Sequence, residues 1–325
     1  MHVSENGRYL VRDDGAPFFY LADTAWALFY TPSLEDARHY LRVRKEQGFT
    51  VIMAVVVWDL WKGEEARTPL PFPQGDASRP NEAFFNHVDR VVTEANALGL
   101  VVALLPTWGG FVAPAWGRSV ELFHPENAGA YGEFLGRRYG GYDVIWVLGG
   151  DRNPKPDEPA YTAFWPRLAE GLKAGDGGRH LMTYHPTAVY SSSSWFREAP
   201  WLDFNMWQTS TRLDTDYCRA LLGDYNGTPV KPFLDGETRY EHSHEFFYRK
   251  PPCGVRMTPQ RVRQAAYYAF LCGACGHTYG CRDVWSFYVP ADRPAVRDVD
   301  THWREALFFP AATQMRHLRR LFTQY

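Results

Sequence analysis

Eight short runs of strand-forming apolar residues recur along the chain: "PFFYLAD", "FTVIMAVVVWD", "LVVALLPTW", "DVIWVLGGD", "HLMTYHP", "DFNMWQ", "PFLDGE" and "GHTYG". Several are apolar almost throughout instead of alternating, the pattern of strands buried on both faces of a parallel sheet. Helical segments separate them. "SLEDARHYLRVRKEQG" opens on Ser with an acidic first turn and stops at Gly, and "NEAFFNHVDRVVTEANALG" repeats apolar residues at helical spacing. "HPENAGAYGEFLGRRYGG" carries Pro125 at its first turn. "PAYTAFWPRLAEGLKAG", helical despite Pro166, then "TDYCRALLGDY" and "TPQRVRQAAYYAFLCGAC" continue the series, and a closing helix lies near Trp303 to Phe322. This order predicts an α/β fold, the (β/α)8 or TIM barrel, preceded by a short N-terminal β-hairpin in "RYLVRDDGAPFF". No repeat or linker divides the 325 residues, so 1–325 reads as one domain.

Charge and hydropathy remove several function classes. A net charge of −2 without blocks of like charge is no footprint for nucleic acid. The longest apolar runs fall far short of the ~20 residues a membrane helix needs. The polar start "MHVSENGRYLVRDDG" lacks the layout of a signal peptide, and five cysteines are no disulfide framework, so a cytoplasmic location is expected. Aromatic residues stand out: 12 Trp, 19 Tyr and 21 Phe make up 16% of the chain. Many must fill the core, and flat rings also stack on the apolar faces of sugars.

In a barrel of this kind chemistry sits at the C-terminal ends of the strands. Those positions hold Asp23 and Trp26, Trp58 and Asp59, Thr107 and Trp108, Asp151, His185, Trp207 and Gln208, Glu237, and His277 and Tyr279. Asp151 follows "VIWVLGG" at once, and Gly-Gly-Asp is also an ordinary turn signal. Strands four and seven face each other across a closed barrel, however, so Asp151 and Glu237 would flank one bond. Two carboxylates are what glycoside hydrolysis uses: one protonates the leaving oxygen, the other attacks or activates water. That chemistry needs no metal or organic cofactor, and the implied partner is a carbohydrate.

The supporting residues carry paired readings. Asp23 binds a sugar hydroxyl or caps the first loop. His185 bonds the nucleophile or a hydroxyl, or is a satisfied core histidine. Trp26, Trp58 and Trp108 pack or stack on sugar. Asp59, Gln208 and Tyr279 complete the substrate-binding set, and Arg239 and Tyr240 would donate hydrogen bonds to Glu237. Asp235 is assigned to the opposite face of its strand and to a structural role, while Asp203 and Asp283 stay open. Cys272, Cys275, His277 and Cys281 in "CGACGHTYGC" suggest zinc, but two of them fall in a helix turn and no second Cys-x-x-C exists. The "EHSHE" histidines, His242 and His244, fall in a loop. Two other classes remain as alternatives: a metal-dependent barrel hydrolase using His242, His244 or His277, and a non-catalytic carbohydrate-binding barrel.

Several motifs in order, "SENGRYLVRDDGAPFFYLADTAW", "LPTWGG", "HPENAGAYGEFLGRRY", "DVIWVLGGDRN", "SSSSWFREAPWLDFNMWQ", "FLDGETRYE" and "GACGHTYGCRDVW", resemble the apiosidase-like glycoside hydrolases, family 140. The resemblance covers nearly the whole chain. It implies a barrel related to retaining glycosidases, with Asp151 as acid/base, Glu237 as nucleophile, and release of apiose or another furanose from plant or microbial polysaccharide as the activity. "ETRYEHSHEFFYRKPPCG" departs from the family's commoner Glu-Pro form, so the substrate-facing loop is expected to differ.

Overall fold

The computed structural model describes residues 1–58, 69–113, 121–211, 216–292 and 298–324. Eight parallel strands form the barrel wall: β1 (Tyr20–Thr24), β2 (Val51–Val55), β3 (Val101–Leu105), β4 (Val144–Gly149), β5 (Met182–His185), β6 (Asn205–Gln208), β7 (Phe233–Glu237) and β8 (Gly276–Tyr279). Every residue of β1 to β5 is buried, as their unbroken apolar runs require. Outside lie α1 (Leu34–Glu46), α2 (Glu82–Ala97), α3 (Pro125–Tyr139), α4 (Pro159–Asp176), α5 (Asp216–Tyr225), α6 (Pro259–Leu271) and α7 (Pro310–Gln324). Side chains start them as the sequence suggests. Ser33 and Asp36 form a reciprocal cap on α1, and Thr258 accepts from Arg261 N–H at α6. The closing helix is two: a short turn, Trp303–Ala306, ends before Pro310 opens α7.

The N-terminal hairpin is present with one addition. Leu10–Val11 pairs antiparallel with Pro17–Phe18, and His2–Val3 adds a third strand. Among the described residues no helix is long and apolar enough to cross a membrane.

The sheet runs in the order β5-β4-β3-β2-β1-β8-β7-β6, and a short strand, Tyr190–Ser191, lies antiparallel on β6. The seam between β5 and β6 is closed differently. There Asp203 N–H donates to Met182 O (2.9 Å), the Asp203 carboxylate accepts from Met182 N–H (2.8 Å), and Thr183 Oγ1 donates to Phe204 O (2.7 Å). Asp203, open on sequence grounds, thus replaces ladder hydrogen bonds at the seam.

Strand parity separates residues that sequence position groups together. Asp23 and Tyr279 are register partners on β1 and β8, and both face the helices. Asp23 accepts from Tyr40 OH and Arg44 Nε of α1, both at 2.6 Å, and neither Asp23 nor Arg44 has any exposed surface. Tyr279 OH donates to Glu241 (2.6 Å), which in turn accepts from Ala311 N–H at the first turn of α7 (2.8 Å). Asp235 likewise faces outward, bonded to Tyr217 OH of α5 (2.6 Å) and Thr209 Oγ1 (2.7 Å).

Glu237 shares parity with Asp235 in an ideal strand, since residues i and i+2 lie on one face. Their opposite orientations come from a bulge. Trp207 pairs with Asp235 but Gln208 pairs with Glu237, leaving Gly236 as the extra residue. A Cβ on Gly236 would come within 2.5 Å of the Met206 side chain, so a larger residue at the bulge would require Met206 to shift.

Candidate active site

The acid's platform is built by backbone. Gly149, Gly150 and Asp151 have φ of 88°, 119° and 54°, three successive residues in the region that favours glycine. A Cβ on Gly150 would meet Gly109 N at 2.8 Å, and one on Gly149 would collide with His185 O. Gly150 instead donates to His185 O (3.0 Å) and accepts from Gly109 N–H (3.1 Å), tying β4 to both neighbours. "GGD" is therefore a strand end running into a bend at Asp151, and it delivers a carboxyl group to the barrel mouth. Arg152 does not join that group: its guanidinium pairs with Glu158 (2.6 Å), and its carbonyl accepts from Tyr184 OH (2.6 Å).

Four side chains converge beside Asp151. Thr187 Oγ1 donates to Asp151 Oδ1 (2.9 Å), and the Gln208 amide also donates to the Asp151 carboxylate. His185 is fully buried; its Nδ1 accepts from Asp151 N–H (3.4 Å), and its Nε2 stands 3.1 Å from Glu237 Oε2. The Nε2–Glu237 approach is a close contact without hydrogen-bond geometry, and Nε2 has no hydrogen-bond partner among the described residues. Glu237, 13% exposed, accepts from Tyr240 OH, which accepts from Trp26 Nε1–H (3.1 Å). Burial first, and the charge of Glu237 second, push the Asp151 carboxyl up to about 6. The hydrogen bonds from Thr187 and Gln208 and the imidazole of His185 act in the opposite sense.

That elevation has a stability consequence whose sign is fixed. The folded chain holds the Asp151 proton more tightly than the unfolded chain, whose carboxyl titrates near 3.8. Ionisation therefore costs stability, nothing below about pH 4 and the full amount above pH 6. Asp151→Asn removes the charge and should stabilise the fold at pH 7.5 by up to about 3 kcal/mol, with no gain at pH 3.5. Denaturant titrations of both proteins at the two pH values test this, and equal ΔΔG at both would refute it.

Tryptophans form one wall. Trp26 and Trp108 lie 5.2 Å apart, Trp108 and Trp58 5.1 Å, and Trp58 and Trp285 5.7 Å between ring centroids, and both Trp26 and Trp108 also contact the His185 ring. Tyr30 OH accepts from Trp58 N–H (3.1 Å) and fixes that loop. Trp285, on the short helix Arg282–Trp285 after β8, extends this wall and carries no strand-end signal in the sequence.

The structure thus brings together Asp151, Glu237, His185, Gln208, Trp26, Trp58 and Trp108. It takes Asp23 and Tyr279 out of the pocket, for the reason of parity given above. Arg239 is also moved: its guanidinium is buried over the Tyr217 ring and donates to Arg261 O (3.0 Å), so of the two donors expected at Glu237 it is Tyr240 that reaches it. Asp59 lies outside the described residues. Asp283 fastens the following loop by accepting from Asp300 and Thr301 N–H.

The metal-site candidates do not converge. Cys272 shares a thiol hydrogen bond with Cys218, Cys275 is buried, Cys281 points to Asp283 (3.7 Å) and His277 faces the helix layer, where burial pulls its imidazole down to about 3. His244 pairs with Asp298 and His242 with Arg256. Among the described residues no three such side chains are grouped to hold a metal ion.

A family described as "Apiosidase-like, catalytic domain" matches residues 4–325. A solved glycoside hydrolase is 28% identical, with a TM-score of 0.83, over 100% of this chain and 74% of its own. A glycoside hydrolase family 5 structure from Bacteroides vulgatus is also 28% identical, with a TM-score of 0.86, over 100% of this chain and 71% of its own. A family 5 mannosidase from Rhizomucor miehei, 11% identical with a TM-score of 0.66 over 99% of this chain and 98% of its own, shares the fold. No curated protein sequence matched.

Proposed function

The chain belongs to the apiosidase-like catalytic-domain family and is a glycosidase, and from that premise we propose that it hydrolyses glycosides with retention, using Asp151 as acid/base and Glu237 as nucleophile. The observation that carries this reading is the pairing of two carboxyl groups in one pocket, with burial and the Glu237 charge keeping Asp151 protonated into the mildly acidic range. Glu237 is flanked by Tyr240 OH and by the His185 ring, whose Nε2 stands 3.1 Å from Oε2.

In the first step Asp151 gives its proton to the glycosidic oxygen as Glu237 bonds to the anomeric carbon and the aglycone leaves. In the second, Asp151, now a carboxylate, takes a proton from water as the water displaces Glu237. Gln208 Oε1 is buried with no partner among the described residues, so it is an acceptor available to a sugar hydroxyl. Trp58, the most exposed of the three tryptophans, offers an apolar face to the ring, with Trp108 and Trp26 packed behind it. The substrate class is a glycoside derived from plant or microbial polysaccharide, with a furanose such as apiose as the first sugar to test.

Proton NMR of the first-formed sugar distinguishes the two routes. Retention predicts a product with the anomeric configuration of the substrate. An inverted product would make Glu237 a base activating water instead of a nucleophile.

A further inference from the structure

The two oxygens of Asp151 are not equivalent. We propose that Thr187, on the loop after β5, is a positioning residue that fixes the Asp151 carboxyl orientation and reserves Oδ2 for the catalytic proton; this rests on the acid/base reading above. Thr187 engages the acid's loop twice. Its hydroxyl donates to Asp151 Oδ1 (2.9 Å), and its backbone N–H donates to Asn153 Oδ1 (2.9 Å), two residues further along. The two loops are buttoned together by bonds 34 and 36 residues apart in sequence. With Oδ1 occupied as an acceptor from Thr187, the proton that Asp151 transfers is carried on Oδ2, and the carboxyl group cannot rotate without breaking the bond.

The same hydrogen bond favours the ionised form of Asp151. The other groups facing this carboxyl are His185 from β5, Glu237 from β7 and the neutral Gln208 amide from β6, and Arg152 is turned away to Glu158. Losing the Thr187 donor while these remain should therefore leave Asp151 a weaker acid and a poorly oriented one.

The test is the pH profile of kcat/KM for the parent, Thr187→Val, Thr187→Ala and Thr187→Ser. Both non-donor variants should move the alkaline limb up by about one pH unit and lower the maximum by ~10-fold or more; serine, which keeps the donor, should restore both. The alanine variant, the less bulky of the two, stands in if valine prevents folding. A limb that stays in place while only the melting temperature falls would overturn the proposal. Asp151→Asn in the same assay separates the two levels of the argument. If it abolishes the alkaline limb while Thr187→Val leaves it unmoved, Thr187 fails and the acid assignment stands. If the limb survives in Asp151→Asn, the acid assignment itself is wrong.

Discussion

Glu237→Gln should lower turnover by about 10³-fold or more while the fold and sugar affinity survive. The amide has the size of the carboxylate and keeps one oxygen to accept from Tyr240. What it lacks is the charge and nucleophilicity needed to form a bond to the anomeric carbon. A loss of 10³ corresponds to about 4 kcal/mol of transition-state stabilisation. Steady-state kinetics, circular dichroism and calorimetric binding of the product sugar together separate loss of chemistry from loss of structure. Activity within ~10-fold of the parent would remove Glu237 from the mechanism.

Asp151→Asn should give a loss that depends on the leaving group. For natural glycosides, whose alkoxide leaves poorly, kcat/KM should fall by about 10²–10⁴. For activated aryl glycosides, which leave with little protonation, it should fall by no more than ~10-fold. The ratio between the two is the diagnostic. Equal losses on both substrates would mean that Asp151 orients or binds but does not donate the proton. The Asp151→Asn protein is the same one expected to be more stable at neutral pH, so lost activity there cannot be attributed to a damaged fold.

The barrel was legible because its strands are buried on both faces and their composition shows it. Legibility of the site stopped at the level of parity. Position at a strand end is visible in sequence, but the direction of a side chain depends on the count from the first paired residue. Asp23 and Tyr279 sit at strand ends and face the helix layer, Asp23 bonded to α1 and Tyr279 to Glu241 in the loop after β7. Glu237 reaches the pocket only because the bulge at Gly236 reverses the alternation after Asp235. Alternation alone puts those two acids on one face, so regular strand geometry does not support the sequence assignment of Asp235 to the opposite face; the bulge does. Thr187 and Trp285 carried no signal of their own, since both lie in connections whose path is set by tertiary contacts.

The seam between β5 and β6 has a mechanical meaning. Everywhere else round the wall, from β5 back through β1 to β6, neighbouring strands are paired in a ladder; here the join depends on Asp203, Thr183 and few backbone bonds. A ring under thermal load parts first where its bonds are fewest. The two donors that hold Asp151 stand on opposite banks of that join, Thr187 after β5 and Gln208 at the end of β6. A parting of the seam would pull the acid between two anchors moving apart, long before the barrel as a whole unfolds. The working lifetime of the catalytic mouth would then be set by an aspartate in the wall, Asp203, that never meets the sugar.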